Sequence, residues 1–160
     1  MEETILKTQK IFDGKVVNLD VHDVQLPDGT TGKRELINHH GAVAIVALDD
    51  EDNVLLIRQF RLGANQVMVE VPAGMLEAEE DPTEAAVREL REETGYRPGQ
   101  IEAIGGWYVA PGYSTEYIHL FIARNLTEDG LAQDEDEFIE QLRTPFDEAL
   151  AMVDRCEIIN

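Results

Sequence analysis

Over residues 15–26, KVVNLDVHDVQL, apolar Val17, Leu19 and Val21 and then Val24 and Leu26 alternate with polar positions. This is the period-two pattern of a strand with one covered face. PDGTTG at 27–32 is a turn signal that returns the chain into KRELIN, 33–38, as a hairpin. AVAIVAL at 42–48 is nearly continuous, as in a central strand buried on both faces; DDEDN breaks it and VLLIRQF at 54–60 resumes it. NQVMVEVP, 65–72, reads as another strand, ended by Pro72. The period then changes to that of a helix. Asp81 is placed to cap it, Pro82 suits the first helical position, and Glu84 stands where a capping box needs an acid. Gly95 stops the helix, and Pro98 and Gly99 prevent its resumption. Strands return at 101–109 and 117–123 around a Pro111-Gly112 turn, and residues 144–156 form a second amphipathic helix capped by Thr144. The sum is an α/β (α+β) sandwich with a mixed sheet and two helices.

Length and charge narrow the picture. The 160 residues suit a single domain over 1–160, and 43% hydrophobic residues suffice for a substantial core. The formal charge of -20, from 33 acids against 13 bases, repels nucleic acid and anionic membranes. Arg58, Arg61, Arg88 and Arg91 come nearest to a basic patch, and they sit inside structured segments. The longest apolar run, 42–48, is far short of the roughly 20 residues that span a bilayer. The first ten residues lack the basic start and apolar core of a secretory signal, so the expected location is the cytoplasm. Cys156 is the single cysteine, which fits a reducing compartment, and reads as a packing or surface residue. The histidines show no metal-ligand spacing.

The chemistry concentrates in GMLEAEEDPTEAAVRELREETGY, 74–96. On a helix, Glu89 and Glu93 are i, i+4 and Glu92 is i+3 from Glu89, so three carboxylates share one face while Val87, Leu90 and Thr94 point elsewhere. Like charges so placed cost a few tenths of a kcal/mol per pair. Either the face is solvated and partly neutralised by Arg88 and Arg91, or the carboxylates hold a divalent cation. Mg²⁺ is usually bound by one or two carboxylates, with water and phosphate oxygens completing its shell. In order, Gly74, Glu80, Arg88-Glu89-Leu90, Glu92-Glu93 and Gly95-Tyr96 follow the pattern G-x5-E-x7-R-E-U-x-E-E-x-G-U, with Tyr96 in the last, usually aliphatic, place. The segment resembles the signature of the Nudix hydrolases.

That resemblance implies an α/β/α sandwich around a loop-helix-loop that binds Mg²⁺, or Mn²⁺, and hydrolyses a diphosphate linked to another moiety. The matching metal ligands are Glu89 and Glu93, with Glu92 assisting and the carbonyl of Ala73 as a further ligand. Arg88 is expected to orient Glu89 or Glu92, and Glu80 to bond back within the motif. The flanks VEVPAG and WYVAPGYSTEYIHLFIA are similar to the ADP-ribose pyrophosphatase branch, in which a proline follows the motif as Pro111 does here. The implied reaction is ADP-ribose to AMP and ribose 5-phosphate. GDP-mannose or another nucleoside diphosphate sugar is the alternative substrate, and a non-catalytic ADP-ribose sensor the alternative of another class. By the same resemblance Arg34 and Glu35 are a substrate-side pair, Arg61 contacts diphosphate or ribose, and Glu116 lies near the metals and the terminal ribose. The general base falls in DEDE, 134–137, with Glu135 first and Glu137 second. As a bare charge run this segment would simply be solvated. Trp107 and Tyr108 read as strand residues, one of them core, with stacking on adenine as the other reading. The branch implies a homodimer in which the N-terminal strands, residues 1–40, help build the partner's pocket. Cys156 departs from the pattern, standing where a glycine is frequent.

Overall fold

Asp28 and Gly29 reverse the chain as their turn chemistry requires. Gly29 takes φ 85°, its N–H donates to the Leu26 carbonyl at 2.9 Å, and the Asp28 carboxylate accepts from the Thr30 N–H at 3.0 Å. In the computed structural model, which describes residues 1–132 and 138–159, this turn joins two strands of one compact unit. That unit is made of Met1–Gly41 and Gly106–Ile118; the second comprises Ala42–Gly105 and His119–Asn160.

The first unit carries an antiparallel sheet of β1 (Thr4–Asp13), β2 (Asn18–Gln25) and β3 (Thr31–Asn38), in that order. The hairpin of β2 and β3 is the one expected from PDGTTG. β1 carries no such signal: all ten of its residues are exposed, so no burial selects an alternation. Gly106–Ile118 joins the sheet through Ile37, whose N–H donates to the Tyr113 carbonyl at 2.8 Å and whose carbonyl accepts from Thr115 at 2.9 Å.

In the second unit β4 (Ala42–Leu48) pairs with β5 (Asn53–Arg61), β5 with β6 (Gln66–Glu70), and β4 with the short β7 (Ala73–Met75). After helix α1 (Pro82–Thr94) come β8 (Tyr96–Tyr108), β9 (Tyr117–Glu128) and β10 (Glu140–Pro145), then helix α2 (Phe146–Asp154). These strands form a mixed seven-stranded sheet with the path β10-β5-β4-β9-β8. Its two faces make two cores. Val43, Ile45, Ala47, Leu55, Phe121 and Ala123 pack with Ala85, Ala86 and Leu90 of α1. Leu48, Val54, Leu56 and partly buried Val46 pack with Ala149 of α2. The alternation along β4 therefore splits its apolar run between two helices, which is why it reads as continuous. Among the described residues no helix is long and apolar enough to cross a membrane.

The second helix starts later than its sequence suggests. Thr144 does not cap it; it lies in β10 opposite Val54, and Pro145 precedes the helix with no side-chain cap bond. The Asp52 carbonyl satisfies the Phe146 N–H instead, at 3.1 Å. Beyond the helix Cys156 takes φ 58°, the left-handed conformation that glycine adopts most easily. The expected glycine there thus has a backbone reason.

The β4–β5 turn supplies a test of acid stability. Burial pushes the Asp49 carboxyl up, but bonds from the Asn53 backbone and side chain, the Arg143 guanidinium and the Glu51 N–H outweigh it. They hold the carboxyl at about 2, below its ordinary 3.8. A depressed carboxyl stabilises the fold fully above its unfolded value and loses that contribution as pH falls through the folded one. Asp49→Asn is expected to reduce stability at pH 7 by about 1–3 kcal/mol for the charged hydrogen bonds lost, and so to lower the thermal midpoint. The deficit should shrink between pH 4 and pH 2; melts across that range check it, and a pH-independent deficit refutes the assignment.

Candidate active site

Helix α1 begins and ends where its residues dictate. The Asp81 side chain accepts from the N–H groups of Thr83 and Glu84, at 2.8 and 3.3 Å, and Pro82 fills the first turn. Gly95 closes the helix at φ 76° with its N–H on the Arg91 carbonyl. Thr83 N–H, then its hydroxyl, holds the Asp81 carboxyl below its usual range.

The three glutamates do not share one exposed rim. At about 100° per residue, Glu93, Glu89 and Glu92 stand roughly 60°, 100° and 160° around the helix from core residue Leu90. Exposure follows that order, from 2% for Glu93 to 12% and 24% for the side chains of Glu89 and Glu92. Glu93 is therefore buried among the core-facing residues. Its Oε2 accepts from the Ala73 N–H at 2.8 Å, tying the helix to β7. The next residue, Gly74, lies against Glu89: a Cβ there would sit 2.0 Å from the Glu89 carboxyl carbon. Only glycine leaves room for that carboxylate.

Arg88 organises the rest. Nε and Nη2 grip the two oxygens of Glu80, each at 2.9 Å, while Nη1 donates to Glu89 at 2.7 Å and Glu92 at 3.0 Å. Nη2 also donates to the Met75 carbonyl at 3.1 Å. A guanidinium has five N–H donors, and these five bonds use them all. Glu80 raises the Arg88 pKa above its ordinary value, against burial and with help from Glu89. In return Arg88, aided by the Glu77 N–H, holds the Glu80 carboxyl below its usual range.

The donor set of Glu89, Glu92, Glu93 and the Ala73 backbone offers hard oxygens, as a divalent cation of the Mg²⁺ class requires. Among the described residues no three His, Cys, Asp or Glu side chains converge into a preformed metal cage. One or two carboxylates completed by water and phosphate oxygens is the arrangement such an ion favours.

The other expected site residues lie as follows. Arg61, at the end of β5, is paired with Glu70, which sequence reasoning passed over; the one signal was an acid inside the apolar strand VMVEV. In the first unit Arg34 pairs with Glu3 and donates to the Lys33 carbonyl at 2.9 Å. Its neighbour Glu35 is exposed, opposite Val21. As adjacent strand residues the two point to opposite faces. Glu116, in the same unit, is half-buried, with its N–H on the Ser114 hydroxyl at 3.1 Å. Trp107 and Tyr108 are strand residues, at the end of β8, as expected, but at 52% and 58% exposed neither is core, contrary to the expectation that one would be. The Tyr108 ring instead meets Tyr117 edge-on at 5.0 Å.

Glu135 and Glu137 lie outside the described residues. Both flanks of that segment are tied to the last turn of α1, an arrangement no sequence pattern announced. The Leu131 N–H donates to the Arg91 carbonyl at 3.1 Å, and Gln141 Nε2 to the Glu93 carbonyl at 3.0 Å.

Comparison with known proteins places this geometry. Residues 38–156 match the NUDIX domain. The chain is 44% identical to the methanol dehydrogenase activator of Bacillus methanolicus, over 95% of this chain and 83% of that one. It is 41% identical to the ADP-ribose pyrophosphatase of Bacillus subtilis (strain 168), over 99% of this chain and 86% of that one. The crystal structure of an ADP compounds hydrolase superposes with a TM-score of 0.84 at 24% identity, covering 96% of this chain and 84% of its own, a likeness of fold.

Proposed function

The chain belongs to the Nudix family, and from that premise we propose that it hydrolyses the diphosphate bond of a nucleoside diphosphate sugar, ADP-ribose before others, to AMP and ribose 5-phosphate. The observation that carries this reading is the convergence of Glu93, Glu89 and Arg88 on strand β7, at Ala73, Gly74 and Met75 in turn. The similarity to an ADP-ribose pyrophosphatase over nearly the whole chain supports the choice of substrate.

Glu89 and Glu93, with Glu92 and the Ala73 carbonyl, would hold Mg²⁺, with Mn²⁺ as substitute. A bound divalent cation neutralises the diphosphate and lowers the pKa of the attacking water. The protein's own part is positioning. Glu93 is fixed by the Ala73 N–H, and Glu89 and Glu92 by Arg88, so carboxylate geometry is set before substrate arrives. Arg61 binds the diphosphate or ribose, and Arg34, Glu35 and Glu116 serve the substrate side. Glu135, with Glu137 second, takes the proton from water; the anchoring of Leu131 and Gln141 to the end of α1 favours that assignment. The functional form is a homodimer built through the N-terminal strands, a role that the exposed Ile5, Leu6, Ile11 and Phe12 of β1 support. The location is cytoplasmic, in keeping with the single Cys156.

A panel of ADP-ribose, ADP-glucose, GDP-mannose, NADH and diadenosine polyphosphates with Mg²⁺ tests this. ADP-ribose should give the highest kcat/KM. Preference for GDP-mannose would move the substrate assignment alone, and binding of ADP-ribose without product would establish a sensor. Glu135→Gln should lower kcat far more than affinity; an unchanged rate transfers the role to Glu137 or Glu116.

A further inference from the structure

The β5–β6 register places Arg61 opposite Gln66 and Ile57 opposite Glu70, so Arg61 and Glu70 lie on one face of the hairpin, four residues apart along the strand. That is about 13 Å of backbone. They meet because both side chains run toward each other. Arg61 Nε lies 2.9 Å from Oε2 and 3.2 Å from Oε1 of Glu70, and Nη2 lies 2.7 Å from Oε2. Glu70 is 3% exposed, whereas the Arg61 side chain is 41% exposed. The buried end of the pair is thus the carboxylate, and the guanidinium is the more exposed end.

A buried carboxylate is costly unless compensated by a cation and hydrogen bonds. Stability alone would be served by an apolar residue at position 70, as in its neighbours Val69 and Val71. Glu70 grips the Nε–Nη2 edge, so the Nη1 edge faces away from it. A long arginine loses rotamer freedom when fixed, and here part of that loss is borne by the fold before any ligand binds. Three residues further on is Ala73, whose N–H is fixed by Glu93, so one short segment anchors both Arg61 and the carboxylate site.

We propose that Glu70 is a positioning residue that holds the Arg61 guanidinium for the diphosphate of the substrate. The proposal rests on the reading of Arg61 given above. It separates geometry from charge: a carboxylate beside Arg61 weakens the attraction for an anionic substrate, so neutralising it without a positioning role should lower KM.

The test is steady-state kinetics on ADP-ribose with Glu70→Gln, Arg61→Ala and the double variant, with thermal midpoints. Glu70→Gln should raise KM so that kcat/KM falls about 10- to 100-fold, the scale of a small misplacement of a binding group. The double variant should be no worse than Arg61→Ala, since Glu70 acts through Arg61. Arg61→Lys keeps a charge beside Glu70 and so protects folding; it should raise KM as well, because an ammonium lacks the two-edged fork. An unchanged or lowered KM in Glu70→Gln, with Arg61→Ala impaired, overturns the positioning role alone. Arg61→Ala with wild-type kinetics overturns the Arg61 assignment, and the positioning role with it.

Discussion

Glu93→Gln is expected to cut metal-dependent turnover by more than about 100-fold, beyond the 10- to 100-fold typical of residues that only support a ligand, while leaving the protein folded. The substitution is isosteric, and the amide oxygen can still accept from the Ala73 N–H, so the tie between α1 and β7 survives. What disappears is the negative charge of a side chain that is only 2% exposed. A carboxylate so buried is unfavourable for folding by itself. The thermal midpoint measured without divalent metal should therefore hold or rise as activity falls, the trade expected where a site is maintained against stability. Turnover within tenfold of wild type would remove Glu93 from the metal ligands. A collapse of the midpoint would make its role structural.

Arg88→Gln should produce the largest loss of stability. It deletes the donors that serve Glu80, Glu89, Glu92 and the Met75 carbonyl, leaving three partly buried carboxylates facing one another. Breaking a buried ion pair from one side costs about 3–5 kcal/mol. The Arg88 side chain is 24% exposed, so solvent screening reduces this to about 2–3 kcal/mol. A divalent cation replaces part of the lost positive charge. Millimolar Mg²⁺ should therefore raise the melting temperature of the variant by more than it raises that of the wild type, following the linkage between binding and folding. Equal increments in both proteins would show that the arginine and the cation do not answer to the same carboxylates.

Much of the molecule was legible from the chain because local chemistry decides it. Asp81, Pro82 and Gly95 fix the two ends of α1 through backbone donors, a preset φ and a left-handed residue, none of which needs a distant partner. The hairpin at Gly29 and the interruption after Leu48 are equally local. Where neighbours in space decide, the local sequence misleads. β1 has no covered face to impose a period; Thr144 was claimed by a strand before it could cap a helix; and Trp107 and Tyr108 stay in the open.

The same division runs through the site. The spacing in GMLEAEEDPTEAAVRELREETGY determined that Glu89, Glu92 and Glu93 lie along one side of a helix near two arginines, because helical periodicity is a property of the backbone alone. The angular order around Leu90, and so the order of burial, was already contained in it. Only the tertiary structure decided that β7 passes beside that helix, putting the Ala73 N–H on Glu93, Gly74 under Glu89 and the Met75 carbonyl on Arg88. It likewise decided that Glu70 meets Arg61, since strand register is set by which faces must be buried, and no residue carries that information by itself.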